Sequence, residues 1–273
     1  MDGHAIIDAH ASPRRAPQWA FFVVLALLFC ASAWATIAWC TSMSAMAGMP
    51  MPGGWTMSMA WMRMPGQTWL SAAASFLGMW LVMTVAMMLP SLAPVLTRYR
   101  QSVQGRADAR PGRLTARVGV AYFLVWTVFG AVMFPLGVAL AALEMEQPAL
   151  ARLVPFAVAV VVLIGGVLQF TAWKTLQLAY CREALCRGCP LLAEPRTAFR
   201  HGLRLGLRCC YCCANLTGIL MVAGVMELRT MAAVTAAITI ERLAPAGERA
   251  ARLMGAGIVG VALFLGARAI APG

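Results

Sequence analysis

Four cysteines lie within five residues at the start of an apolar stretch, at positions 209, 210, 212 and 213. If the stretch is helical, each residue turns the chain by about 100°. The i, i+3, i+4 spacing then puts Cys209, Cys212 and Cys213 on one face and turns Cys210 away. Sulfur ligands select soft metal ions. The spacing therefore predicts a soft-metal site built from three of these thiols, or from two of them and a donor from elsewhere.

Three further cysteines, Cys181, Cys186 and Cys189, lie in the basic segment that precedes this stretch. Neighbouring cations lower the pKa of a thiol and favour the thiolate. Cys186 and Cys189 form a CxxC pair, and Cys209 and Cys212 form a second one, a pattern that also resembles a four-cysteine zinc site. We predict that these cysteines bind Cu(I), with zinc as the alternative metal.

Methionines dominate a different segment, with eight of them between positions 43 and 64. Thioethers are soft, neutral donors that form no disulfides, so they suit Cu(I) in an oxidising compartment. The interleaved Gly, Ser and Pro residues indicate an irregular segment rather than a packed element. The alternative is an adaptable apolar loop that rests on the membrane surface.

A second group of methionines, Met79, Met83 and Met87, recurs at i, i+4, i+8. These three side chains share one helical face. Methionine often fills gaps in helix bundles, so the face indicates either packing or a path for a soft ion. Its position between a methionine-rich segment and a cysteine-rich segment favours the path.

The composition that surrounds these donors is typical of a membrane protein. Hydrophobic residues make up 61% of the 273 residues, charged residues 12%, and the mean hydropathy is +0.76. We predict an all-α, polytopic membrane helix bundle of about seven transmembrane helices. The predicted spans are roughly 19–40, 69–97, 118–143, 153–174, 207–226, 230–243 and 252–270. The basic residues that give the net charge of +12 lie between apolar runs and form no basic face. The sequence therefore predicts no nucleic-acid partner.

The basic residues also predict an orientation. With the amino terminus in the cytoplasm, 18 of the 22 lysines and arginines fall in inner segments and four in outer segments. We therefore expect a cytoplasmic polar tail at 1–18 and a single transmembrane bundle at 19–270. Within this bundle, residues 41–68 form a Met-rich outer loop and residues 174–208 form a Cys- and Arg-rich inner loop.

Many of these residues belong to a pattern shared with a bacterial family. The shared residues are Trp80, Met83, Ala86, Met87, Met88, Pro90, Ser91, Pro94, Gln169, Lys174, Cys181, Arg182, Gly206, Cys209, Cys212, Cys213, Gly224, Val225, Met226 and Glu241. Over about residues 80–270 the chain resembles the bacterial predicted metal-binding integral membrane proteins. The resemblance implies membrane insertion and metal binding, and it adds Met226 to the candidate ligands. Ala214, Glu227 and Arg242 depart from the family's usual Trp, Asn and Lys.

These observations predict a protein of the bacterial inner membrane that handles Cu(I). Outer thioethers would capture the ion, the methionine face of the second span would pass it on, and the inner thiols would receive it. Thiolates bind Cu(I) more strongly than thioethers, so this order favours inward movement. Copper uptake, or delivery to an oxidase under assembly, would use this layout, with a periplasmic copper carrier as a further possible partner. The sequence contains no pattern that predicts an enzyme, although a zinc-clipped assembly protein and a membrane thiol oxidoreductase remain as alternatives.

The predicted orientation can be tested by locating two segments relative to the membrane. Epitope tags inserted after residue 48 and after residue 190 should be accessible from opposite sides, because the basic residues retain the second segment in the cytoplasm. Protease digestion of intact spheroplasts and of lysed cells would measure this. Accessibility of both tags from the same side would contradict the proposed separation of thioethers and thiols.

Overall fold

The computed structural model describes residues 18–44, 48–63, 66–104, 110–183 and 194–270, which form a bundle of α-helices. The helices are α1 Gln18–Ser44, α2 Trp69–Val103, α3 Pro111–Glu146, α4 Pro148–Leu168, α5 Ala172–Glu183, α6 Pro195–Ala223, α7 Leu228–Leu243 and α8 Gly247–Ile270. Two short antiparallel strands, β1 Met49–Met51 and β2 Trp55–Met57, and a 3-10 turn at Met59–Trp61 lie between α1 and α2. The predicted all-α bundle is confirmed.

The helix lengths and compositions identify a multi-pass membrane protein. Within the described ranges, six helices are long and apolar enough to cross a bilayer, namely α1, α2, α3, α4, α6 and α8. Helix α7 overlaps the sixth predicted span but has only 16 residues. Helix α5, with 12 residues, and the first turns of α6 lie in the segment that we expected to form the inner loop.

Local signals in the sequence explain several helix ends. Pro111, Pro148 and Pro195 occupy the first turns of α3, α4 and α6, where a missing backbone N–H is tolerated. Helix α2 is capped by Thr68, whose hydroxyl accepts a hydrogen bond from the Ser71 backbone N–H at 3.2 Å. The same helix continues through its two internal prolines to Val103.

Helix α6 lies at the centre of the bundle and packs closely against α3. In the most apolar 18-residue stretch of α6, 56% of the residues are buried. The corresponding stretches of α1, α3 and α8 are each 11% buried. A Cβ added to Gly202 would lie 2.4 Å from the Val118 carbonyl oxygen, and one added to Gly206 would lie 2.9 Å from the Tyr122 carbonyl oxygen. Small residues thus let the two backbones approach each other, as is common between membrane helices.

The strands form a methionine hairpin, residues 49–57, at the end of the bundle where α3 passes to α4; we call this the hairpin end. Trp55 Nε1 donates a hydrogen bond to the Ala151 carbonyl oxygen at 2.8 Å. Met51 and Met57 are buried against Ala141 and Ala151. Glycines with positive φ close the turn, which allows this packing in place of the irregular segment expected from the sequence.

The contact between α3 and α6 generates a prediction with a control in the same helix. Gly202→Ala should destabilise the protein by about 1–3 kcal/mol, because the new methyl group would overlap the α3 backbone. Gly218→Ala should be neutral or stabilising by up to about 1 kcal/mol, because no atom lies within 4 Å of the added Cβ. Thermal unfolding in detergent would measure both. Equal melting temperatures for the two variants would contradict this packing.

Candidate metal centre

The cysteines of α6 have the helical arrangement that their spacing predicted. Cys209, Cys212 and Cys213 are fully buried, whereas Cys210 is only partly buried. Side chains of α2, α3, α5 and α7 contact the face that carries these thiols. Soft donors are therefore concentrated inside the bundle.

Helix α5 adds a fourth thiol, that of Cys181, to this group. Cys181 Sγ donates a hydrogen bond to the Arg208 carbonyl oxygen at 3.3 Å. Hydrogen bonding to Cys212 raises the pKa of the Cys181 thiol above its ordinary value, with burial as the next cause. Cys212 also interacts with Cys213, and Cys213 with Cys209. The four thiols thus form a chain of contacts from α5 into the centre of α6.

The end of this chain is Cys209, which four side chains surround. Its Sγ lies 3.8 Å from Cys213 Sγ and 3.9 Å from Met88 Sδ. The Tyr122 hydroxyl donates to it at 2.8 Å, and Arg242 Nη1 donates at 3.3 Å. All of these side chains are buried. The sulfur of Cys209 thus faces two other soft donors, a phenol and a fixed positive charge.

The sulfur separations around Cys209 fit a shared metal ion. With metal–sulfur bonds of about 2.3 Å, two sulfurs on one tetrahedral or trigonal ion are about 3.8–4.0 Å apart. The separations from Cys209 Sγ to Cys213 Sγ and to Met88 Sδ fall in this range. No three His, Cys, Asp or Glu side chains in the described parts of the chain form a metal-binding group. A third donor beside the two thiols has to be of another type, and Met88 is in position to be that donor.

The methionine face of α2 lies against this cluster. Met79, Met83, Met87 and Met88 are all buried in the main hydrophobic core, which also contains the thiols. A small cavity, with room for about one water molecule, lies between α2, α3 and α6. Its lining residues are Trp80, Met83, Thr84, Met87, Met88, Trp126, Thr217 and Leu220. Met88 thus belongs both to the cavity wall and to the surroundings of Cys209.

Other predicted ligands lie apart from this cluster or outside the described residues. Met51 and Met57 of the hairpin are buried in a separate small hydrophobic cluster, and Trp61 packs against both clusters. Met226 follows α6 and packs partly buried against the main core. Cys186 and Cys189 are outside the described residues, so their part in a four-cysteine site stays a prediction.

A network of buried polar groups holds the helices around the thiols. Lys174 Nζ and Glu241 Oε2 form an ion pair at 2.7 Å, and these side chains are 0% and 2% exposed. Lys174 Nζ also donates to the Cys212 carbonyl oxygen at 2.9 Å, and Gln169 Nε2 donates to Glu241 Oε1 at 2.6 Å. Asn215 Nδ2 donates to the Gly165 carbonyl oxygen at 3.2 Å. The network connects α4, α5, α6 and α7.

Sequence reasoning missed several of these contacts. Glu241 pairs with Lys174 because α5 brings that lysine into the bundle, and no spacing in the sequence indicates this partner. Tyr122 gave no motif signal, since its role depends on the contact between α3 and α6. Gln169 and Asn215 did carry a signal, because amide side chains within apolar helices usually mark a bonded network.

The fold and this centre define a class: a multi-pass membrane protein with a buried set of thiols and thioethers. Comparison with family models gives a match to PpoB2, a copper chaperone, over residues 77–265. The chain belongs to this copper chaperone family. The matched region contains the methionine face of α2, the four thiols and the buried polar network. Neither the curated proteins nor the solved structures gave a match.

The ion pair generates a prediction about stability. Lys174→Met should destabilise the protein by about 3–5 kcal/mol, because it leaves the Glu241 carboxylate buried without its partner. The double variant Lys174→Met/Glu241→Gln removes both charges and should recover much of that loss. Thermal unfolding in detergent would measure the recovery. A double variant no more stable than Lys174→Met would contradict the proposed coupling of the two charges.

Proposed function

We propose that the protein is a membrane chaperone for Cu(I), which passes the ion from thioethers of α2 to thiols of α5 and α6. The observation that carries this proposal is the 3.9 Å separation between Met88 Sδ and Cys209 Sγ. This contact joins the cavity lined by methionines to the chain of thiols. The proposed receiving ligands are Cys209 and Cys213 with Met88, and then Cys212 and Cys181.

The donor set favours Cu(I) over a divalent ion. Two thiols and a thioether suit a soft ion of low coordination number, whereas structural zinc sites have four ligands. Charge supports the same choice. Two thiolates, one monovalent ion and the Arg242 guanidinium sum to zero, while a divalent ion would leave an excess positive charge in a buried site.

The order of donor types supports a direction for the transfer. Neutral thioethers of Met79, Met83 and Met87 bind Cu(I) weakly, and thiolates bind it more strongly. By the orientation inferred from the basic residues, the thiols lie toward the cytoplasmic side of a bacterial inner membrane. In this proposal the ion moves inward, either for uptake or for delivery to a copper enzyme such as an oxidase under assembly.

The methionine hairpin is proposed as the place where Cu(I) first binds. Met49 is exposed and pairs across the hairpin with Met57. A periplasmic copper carrier could transfer an ion to such exposed thioethers. The remaining predicted ligands, Met226, Cys186 and Cys189, are proposed as auxiliary donors at the two ends of the path.

The proposal predicts a loss of bound copper when the central thiols are removed. Cys209→Ser/Cys213→Ser should lose one equivalent of Cu(I), because hydroxyl oxygen is a poor ligand for a soft ion. Met88→Leu should retain the ion with lower affinity, since both thiols remain. Protein purified under reducing conditions would be titrated with Cu(I) against a chromogenic Cu(I) chelator.

Cys210→Ser is the matched control, because Cys210 lies next to Cys209 but outside its face. Its copper content should equal that of the parent protein. Unchanged copper in Cys209→Ser/Cys213→Ser would contradict the proposal. One zinc per chain without copper in the parent protein would instead favour the zinc-clip alternative.

A further inference from the structure

Helix α1 presents a narrow polar stripe to the rest of the bundle. Its buried residues are Ser32, Thr36 and Cys40, which recur at i, i+4, i+8 and therefore share one face. Much of its remaining surface consists of exposed large apolar side chains, as expected for a helix that faces lipid. Cys40 lies one turn before the end of α1, near the hairpin end of the bundle.

Cys40 contacts a second soft donor, which comes from α7. Cys40 Sγ lies 3.9 Å from Met231 Sδ, the same separation as between Cys209 Sγ and Met88 Sδ. Cys40 is 2% exposed and Met231 is 5% exposed, and both belong to the main core that contains the α2 methionines. The proposed transfer from α2 to α6 uses neither residue.

A third observation at this place is an unsatisfied polar atom. The Thr36 hydroxyl oxygen is buried and has no hydrogen-bond partner among the described residues. Thr36 is itself more than nine-tenths buried. Thr36 lies one helical turn before Cys40 on the same buried face of α1. A buried hydroxyl without a partner is costly, and a thiolate at Cys40 would be an acceptor for its hydrogen bond.

We propose that Cys40 and Met231 form a second Cu(I) site at the hairpin end of the bundle, with the Thr36 hydroxyl beside it. As the ion binds, a Cu–S bond to Cys40 replaces its S–H bond, and the proton is released to solvent. The pair of one thiolate and one monovalent ion is neutral, so its burial in an apolar bundle costs little. A divalent ion would retain a net charge there.

This site rests on the proposed function, since it would supply ions to the thioethers of α2. Along α7, Met231 and Arg242 are separated by 11 residues, or about 16 Å, so the outer and central sites are distinct. The buried hairpin methionines Met51 and Met57 lie in a separate cluster, whereas Cys40 and Met231 share the core of the central thiols. The exposed Glu227, one turn before Met231, adds a negative charge at this end.

The test compares full-length variants titrated with Cu(I) in detergent against the chromogenic chelator. Cys40→Ser should lose one equivalent while the equivalent bound at Cys209 and Cys213 remains. Met231→Leu, which keeps the shape and removes only the sulfur, should weaken the same equivalent at least tenfold. Cys30→Ser is the control, because Cys30 lies on the exposed side of the same helix.

In a background in which Cys181, Cys209, Cys212 and Cys213 are all replaced by serine, one equivalent should remain and disappear on adding Cys40→Ser. X-ray absorption of this background loaded with Cu(I) should show two sulfur ligands, and one sulfur after Met231→Leu. If Cys40→Ser binds as many equivalents of Cu(I) as the parent protein and only Cys209→Ser/Cys213→Ser loses an equivalent, the outer site is overturned. The proposed function is then unaffected. Loss in Cys40→Ser alone would support the outer site and overturn the central one.

Discussion

The buried ion pair between Lys174 and Glu241 is the interaction on which the arrangement of the thiols depends. An unpaired charge at this depth would be strongly destabilising, so α5 and α7 are held together. Lys174 also binds the Cys212 carbonyl oxygen, which connects α6 to the same ammonium group. The three helices that carry Cys181, the central thiols and Arg242 are thereby kept in one arrangement.

A second buried cation has a different kind of partner. Arg242 donates to Ser91 Oγ at 2.9 Å and to Cys209 Sγ at 3.3 Å, so its charge faces a hydroxyl and a sulfur rather than a carboxylate. A guanidinium group stays charged under ordinary conditions. It therefore provides a constant positive charge beside the Cys209 sulfur. In the proposed loaded site, this charge offsets the second thiolate, and the monovalent ion offsets the first.

Much of the fold could be predicted from the sequence, because long apolar runs and the grouping of basic residues are local features. The helical face of Cys209, Cys212 and Cys213 was also readable from spacing alone. Contacts between helices could not be predicted in this way. The neighbours of Cys209, such as Tyr122, depend on how closely α3 approaches α6, and the packed hairpin depends on alanines about 90 residues further along the chain. Neither depends on a local pattern.

The position of Met88 has a consequence for how an ion would move. Its sulfur belongs to the cavity wall and also contacts Cys209, so the proposed thioether and thiol sites would share a donor. An ion that exchanges one ligand at a time then stays bound to sulfur throughout the transfer. Release into the apolar interior as a free charge would be far more costly. In the proposed transfer, a donor shared between weak and strong sites would therefore let the ion move without water among the buried central thiols.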